Sequence, residues 1–280
     1  IYEKGSEIIR MLINLVKDEN FYKGFSNYIS TYDGKAATID QFVEKILENN
    51  KEIDPKEFKV WYKQNGTPKV KLNRIWDQKN KKLTIQANQS NPIKKNPYND
   101  LPLIIPINLA IFCGVDKIIK KTVVLKDKKQ EFIINNIESL FKIPFVTYFR
   151  EFSSPVEWES DTTFDEKFLI LKYETDYFTL YNTVKILYKN IIACRLNEKP
   201  DYKIEDKLID SLITFLKNRD INLSLLAELL SIPTFAEIES EINNIDPLKI
   251  YKTIDELNYL FGARLKKELL FKLQEIEKNI

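Results

Sequence analysis

The sequence predicts a multi-domain α+β chain: helices over 1–66, a small β-sandwich over 67–155 and an α-helical array over 156–280. Three observations carry this reading. Apolar residues recur at helical spacing through the first 66 positions, the period drops to two after Pro68, and helical spacing returns after residue 156. At 280 residues the chain has length for two or three domains with cores of their own.

The first helix is set by Ile8, Met11, Leu12 and Leu15, one apolar stripe at i, i+3, i+4 and i+7. Gly5-Ser6 precede the stripe, and Glu7 complements the helix dipole in the first turn. A second helix carries Phe21, Phe25, Tyr28, Ile29 and Tyr32 and stops at Asp33-Gly34. Thr38 and Gln41 have the spacing of a capping box ahead of Phe42, Val43, Ile46 and Leu47. Asp54-Pro55 opens a fourth helix, as N-cap and first helical residue, which holds Phe58, Trp61 and Tyr62 and ends near Asn65-Gly66. These aromatic stripes are expected to be core.

From Pro68, Val70 and Leu72 alternate with lysines, a polar turn follows at 77–80, and Leu83 and Ile85 alternate with Thr84 and Gln86. Residues 89–100 have loop composition. Leu101 to Phe112 form a longer apolar run in which Pro102 and Pro106 predict an edge strand. Further strands are expected over 117–125, 130–135 and 145–152. Short strands separated by turns make a sandwich.

Beyond 156, helical runs are expected around 166–171, from Val184 to Ile192, over Leu208–Leu216, over Leu225–Leu230 and from Tyr251 to Ile280. Thr234 and Glu237 are spaced as a capping box, and Asp246-Pro247 repeats the Asp54-Pro55 start. Successive helices joined by short turns predict stacked pairs. Arg264, Lys266 and Lys267 are expected to face solvent.

Composition narrows the function classes. Forty-three basic residues against 41 acidic ones leave +2, so no electrostatic case for nucleic acid exists. No run reaches the roughly 18 apolar residues that span a bilayer, so no membrane partner is expected. Cys113 and Cys194 lie far apart in unlike surroundings, which fits free thiols in a reducing, cytoplasmic compartment. The chain has no histidine. A catalytic zinc normally takes three protein ligands, commonly with imidazole among them, so no metal site is expected from these residues.

Tyr2-Glu3-Lys4-Gly5-Ser6-Glu7-Ile8-Ile9-Arg10-Met11 resembles the catalytic-tyrosine segment of the bacterial aminopeptidase N family, zinc-dependent exopeptidases of the gluzincin type. Asp33-Gly34-Lys35-Ala36-Ala37-Thr38 resembles that family's D-G-x-A-A-T turn, and Trp61 to Pro68 its W-Y-x-Q-x-G-T-P boundary. Arg150-Glu151-Phe152-Ser153-Ser154-Pro155-Val156 resembles the string that joins its sandwich to its last domain. The run from Ile221 to Pro233 is similar to part of its C-terminal helical domain.

The resemblance implies that 1–66 is the C-terminal helical part of a thermolysin-like catalytic domain. It makes 67–155 a β-sandwich spacer and 156–280 an access-limiting helical domain that is truncated at its end. It implies that Tyr2 is catalytic, donating a hydrogen bond to the oxyanion formed as the scissile carbonyl is attacked. A neutral phenol is a suitable donor near neutral pH. The structural alternative for Tyr2 is a boundary tyrosine with a buried ring and a wet hydroxyl.

The family's zinc helix H-E-x-x-H, its third zinc ligand and its Gly-x-Met-Glu-Asn amine-binding segment all lie upstream of the tyrosine and have no counterpart here. The expectation is therefore a fragment, inactive alone, of an enzyme that removes N-terminal residues from peptides. Zinc would be held by the missing N-terminal part of the same protein, and peptides would be the substrates. The alternative is a metal-free scaffold of the same architecture. A chain cut before Tyr2 is also expected to expose the apolar face of residues 8–15 and to be poorly soluble without a partner.

Overall fold

A computed structural model of the chain describes residues 2–50, 52–93, 96–239 and 246–278. The chain divides into two compact units, Ile1–Thr162 and Thr163–Ile280.

The first unit opens with α1 (Tyr2–Val16) and α2 (Asp18–Tyr32), separated only by Lys17 at φ 70°. The apolar stripe of α1 is buried: Ile8, Met11, Leu12 and Val16 enter the core of this unit, with Ile9, Ile13 and Leu15 packed at its border. The expected exposed face over 8–15 is therefore absent, because the stripe is covered by elements within the chain itself. Helix α3 (Ile39–Leu47) starts on the Thr38–Gln41 capping box, with both reciprocal bonds made. Helix α4 (Pro55–Phe58) has Asp54 as its cap and continues as a 3-10 turn over Lys59–Tyr62.

The aromatic stripe of α2 is not core throughout. Phe21 is buried, whereas Phe25 and Ile29 are exposed and Tyr28 packs edge-on against Phe42 at 5.2 Å. The helix is held close to α3 by Gly24. A Cβ there would lie 2.7 Å from Ile46 Cα and 2.9 Å from the Lys45 carbonyl oxygen. Both neighbours are backbone, so neither can swing aside. Gly24→Ala should thus lower stability, although alanine in an open helix position gains about 1 kcal/mol over glycine. Gly5 in α1 has nothing within 4 Å of the same added atom, so Gly5→Ala should stabilise. Thermal melts of the two variants should shift in opposite directions.

The sandwich has two sheets. Strands β1 (Lys69–Asp77), β2 (Lys82–Ser90), β5 (Lys129–Ile134) and β7 (Glu157–Ser160) form one, in the order β5-β2-β1-β7. Strands β3 (Ile105–Phe112), β4 (Ile118–Leu125) and β6 (Phe145–Thr147) form the other, in the order β4-β3-β6. Leu72, Leu83 and Ile85 from the first sheet and Ile107, Leu109 and Ile111 from the second share one core with α1 and α3.

Three details depart from the pattern reading. Strand β3 is central rather than an edge, with β4 along its whole length. Its other neighbour, β6, pairs only with Ala110 to Phe112, so Pro106 interrupts no ladder on that side. There the Pro106 carbonyl accepts the hydroxyls of Ser153 and Ser154, at 3.1 and 2.6 Å. Second, the run expected as strand over 145–152 stops at Thr147. Phe149, Glu151 and Phe152 all take left-handed conformations, at φ 55°, 59° and 50°. Third, β7 lies beyond residue 155 and pairs in parallel with β1, Lys69 against Glu157.

The second unit contains α5 (Phe164–Tyr173), α6 (Tyr177–Leu196), α7 (Tyr202–Lys217), α8 (Leu223–Leu230), α9 (Phe235–Glu239) and α10 (Pro247–Glu277). Side-chain caps explain most of the starts: Thr163, Asp176, Asp201, Asn222 and Asp246 each accept a backbone N–H of the first turn. Thr234 and Glu237 bond reciprocally ahead of α9. The core is built from Val184, Leu187, Ile191 and Ile192 of α6, Leu208 and Leu212 of α7, Leu229 of α8 and Leu257 of α10. Arg195 and buried Glu205 tie α6 to α7 through two bonds of 2.7 and 2.8 Å. The last two residues of the helical run expected up to Ile280 lie outside the described residues.

Candidate functional site

The residue singled out by the sequence, Tyr2, is the first residue of α1 and is 94% exposed. Its ring is exposed among the residues of this chain. No hydrogen bond to its hydroxyl occurs among the described residues. The phenol therefore stands free at the start of a helix whose buried stripe begins two turns later, at Ile8.

Besides its buried stripe, two cations tie that helix to other parts of the first unit. Lys4 Nζ donates to the Gly66 carbonyl oxygen at 2.7 Å. Partial burial of the Lys4 ammonium lowers its pKa below the ordinary lysine value. Arg10 donates through Nη1 to the Glu151 carbonyl at 2.5 Å and through Nη2 to the Phe152 carbonyl. Its Nε bonds Glu7 at 2.7 Å, and its guanidinium lies 5.1 Å from the Phe152 ring centroid. Gly66, at φ +76°, belongs to a polar clasp in which Asn65 accepts from Asn91 and Asn99 through its carbonyl and from Asn96 through its side chain. Lys4 and Arg10 were inside the recognised string. Their partners lie 62 and about 141 residues away, and no local pattern announces them.

No histidine occurs in the sequence, and among the described residues no three His, Cys, Asp or Glu side chains converge to hold a metal ion. The described residues do not fit a zinc centre. Cys113 and Cys194 are both free thiols, and burial pushes the Cys113 thiol up. An open cavity of about 580 Å³ lies where α1 meets α2, lined by Lys17, Asp18, Lys120, Lys121 and Glu151 among others, but not by Tyr2. In the helical unit, Arg264 pairs with Asp206 at 3.0 Å, and Lys267 borders an apolar cavity of about 500 Å³ with Leu270 and Phe271. Arg264, Lys266 and Lys267 are all exposed, as expected. No helix among the described residues is long and apolar enough to cross a membrane.

Comparison with known proteins places this geometry in a family context. Residues 1–62 match the Peptidase family M1 domain, 66–161 a domain of unknown function (DUF3458) with an Ig-like fold, and 165–279 a second such domain (DUF3458_C) of ARM repeats. The chain is 26% identical to aminopeptidase N of Escherichia coli over 96% of its own length and 32% of the relative's. The chain is homologous to bacterial aminopeptidase N. Aminopeptidase N of Caulobacter vibrioides is 28% identical over 95% of this chain and 30% of that protein. The crystal structure of Legionella pneumophila aminopeptidase A in complex with aspartic acid shares the fold, with a TM-score of 0.83 at 21% identity, over 98% of this chain and 31% of that one. The chain thus spans about a third of the length of the relatives it matches. Its architecture is the end of an M1 peptidase domain, then an Ig-like β-domain, then an ARM-like helical domain.

Proposed function

We propose that this chain is part of a zinc-dependent aminopeptidase, in which Tyr2 stabilises the oxyanion as the first peptide bond of a substrate is broken. The observation that carries the reading is Tyr2 itself, an exposed and uncommitted phenol at the start of a buried, anchored helix within the segment matching the M1 domain. Its homology to aminopeptidase N supports the substrate class, peptides with a free N-terminus.

The chemistry asked of Tyr2 is limited and definite. As a nucleophile adds to the scissile carbonyl, negative charge develops on the carbonyl oxygen. An O–H donor already aimed at that point stabilises the transition state more than the ground state. The sequence has no histidine and the described residues hold no metal-binding cluster, so in this reading the metal and its nucleophile are supplied by other residues of the intact enzyme. In this reading the helical unit limits access of substrates, and the enzyme works in the cytoplasm without a membrane or nucleic-acid partner.

The test is hydrolysis of aminoacyl-p-nitroanilides by the longer, zinc-loaded protein, by its Tyr2→Phe variant and by the 280-residue chain alone. The first should turn over, the second should be strongly impaired and the third should be inert. Turnover by the 280 residues alone would sink this division of labour.

A further inference from the structure

We infer that Lys4 and Arg10 are positioning residues for Tyr2, clamping α1 onto backbone carbonyl oxygens at the two ends of the β-sandwich segment. The inference rests on the proposed role of Tyr2, and it gives the sandwich a task beyond spacing. Gly66 immediately precedes the segment that becomes β1, and Glu151 and Phe152 lie between β6 and β7. One helix thereby grips the sandwich where the chain runs into it and where it turns towards its last strand.

The acceptors are available for a physical reason. Gly66, Glu151 and Phe152 all have positive φ, so their peptide groups leave the regular ladder. Carbonyls outside the ladder are open to side-chain donors, and long basic side chains from α1 reach these three. The Asn65 clasp fixes the Gly66 side of this seat. On the other side, Phe152 takes both a bond at its carbonyl and the guanidinium against its ring.

The consequence for Tyr2 follows from how little else restrains its turn. Between Tyr2 and Glu7, the Ser6 hydroxyl bonds within the helix to the Glu3 carbonyl, and Glu7 pairs with Arg10 of the same helix. Among the described residues, Lys4 makes the one side-chain hydrogen bond from this stretch to another element. A donor misplaced by about 1 Å can cost on the order of 100-fold in rate. Residues that fix the first turn of α1 therefore act on the reaction through Tyr2.

The experiment has two readouts. In the 280-residue chain, amide hydrogen exchange over residues 5–10 should quicken about 10-fold in Lys4→Met and in Arg10→Met, with β1 and β2 unchanged. Lys4→Arg, which keeps a donor of similar reach, should restore protection. Exchange equal to the parent in both methionine variants overturns the clamp. In the longer, zinc-loaded protein, Lys4→Met should lower kcat about 10-fold at unchanged KM and zinc content, with partial rescue by Lys4→Arg. Unchanged kcat in Lys4→Met, alongside a crippled Tyr2→Phe, overturns the positioning role. Normal turnover by Tyr2→Phe would instead refute the catalytic reading of Tyr2, and with it the positioning role, while exchange still decides whether the clamp exists.

Discussion

Replacing Tyr2 by phenylalanine in the longer, zinc-loaded protein should lower kcat by about 100-fold or more, with KM and zinc content nearly unchanged. The substitution keeps the ring and removes only the hydroxyl. Because Tyr2 is 94% exposed and packs on no core residue, folding should be indifferent to the change. A 100-fold loss corresponds to about 2.7 kcal/mol, the scale of one pre-positioned oxyanion donor. KM should hold because the bond forms fully only as charge develops, so the ground state loses little. Metal content should hold because no residue of this chain is a zinc ligand in the proposal. Steady-state kinetics with metal analysis of the same samples decides it. A rise in KM at constant kcat would make Tyr2 a ground-state binding residue and contradict its assigned role.

Trp61→Ala should destabilise the first unit by about 3–5 kcal/mol, the range for truncating a large buried aromatic side chain. Trp61 is 2% exposed within the shared core and donates its indole N–H to the Ile104 carbonyl at 2.9 Å. The truncation removes ring contacts and also strands that carbonyl, which lies just before β3. Trp61→Phe separates the two effects. It retains most of the volume, so its loss should reflect the broken hydrogen bond, about 1–3 kcal/mol. Chemical denaturation followed by circular dichroism measures both. Equal losses in the two variants would show that packing around Trp61 contributes nothing beyond its hydrogen bond.

Trp61 also shows what could be read from the sequence. It belongs to a recognisable string, and its aromatic type at helical spacing indicated core, which is where it lies. Local signals of this kind were legible: the Thr38–Gln41 box, the Asp54-Pro55 start and the period-two alternation of β1 and β2 depend on neighbours within a few residues. Features decided by distant partners were not. Pro106 sits in a central strand because β6 is too short to reach it, a fact residing some 40 residues downstream. Strand β7 is four residues long with no apolar run to mark it, and its place is fixed by pairing with β1. Phe25 and Ile29 have the same spacing as Phe21, but only the latter meets the core. At the candidate site, the string singled out Tyr2, whereas the work of Lys4 and Arg10 emerged only when the fold brought Gly66, Glu151 and Phe152 beside α1.

The central claim is that these residues complete a metallopeptidase whose zinc is bound elsewhere in the same polypeptide. The most direct measurement is the coding sequence immediately upstream of Ile1. The account predicts an open reading frame encoding H-E-x-x-H followed by a further glutamate ligand, the ligand set this chain lacks. A start codon directly before Ile1 would contradict it, leaving a stand-alone chain without metal chemistry and favouring the scaffold alternative.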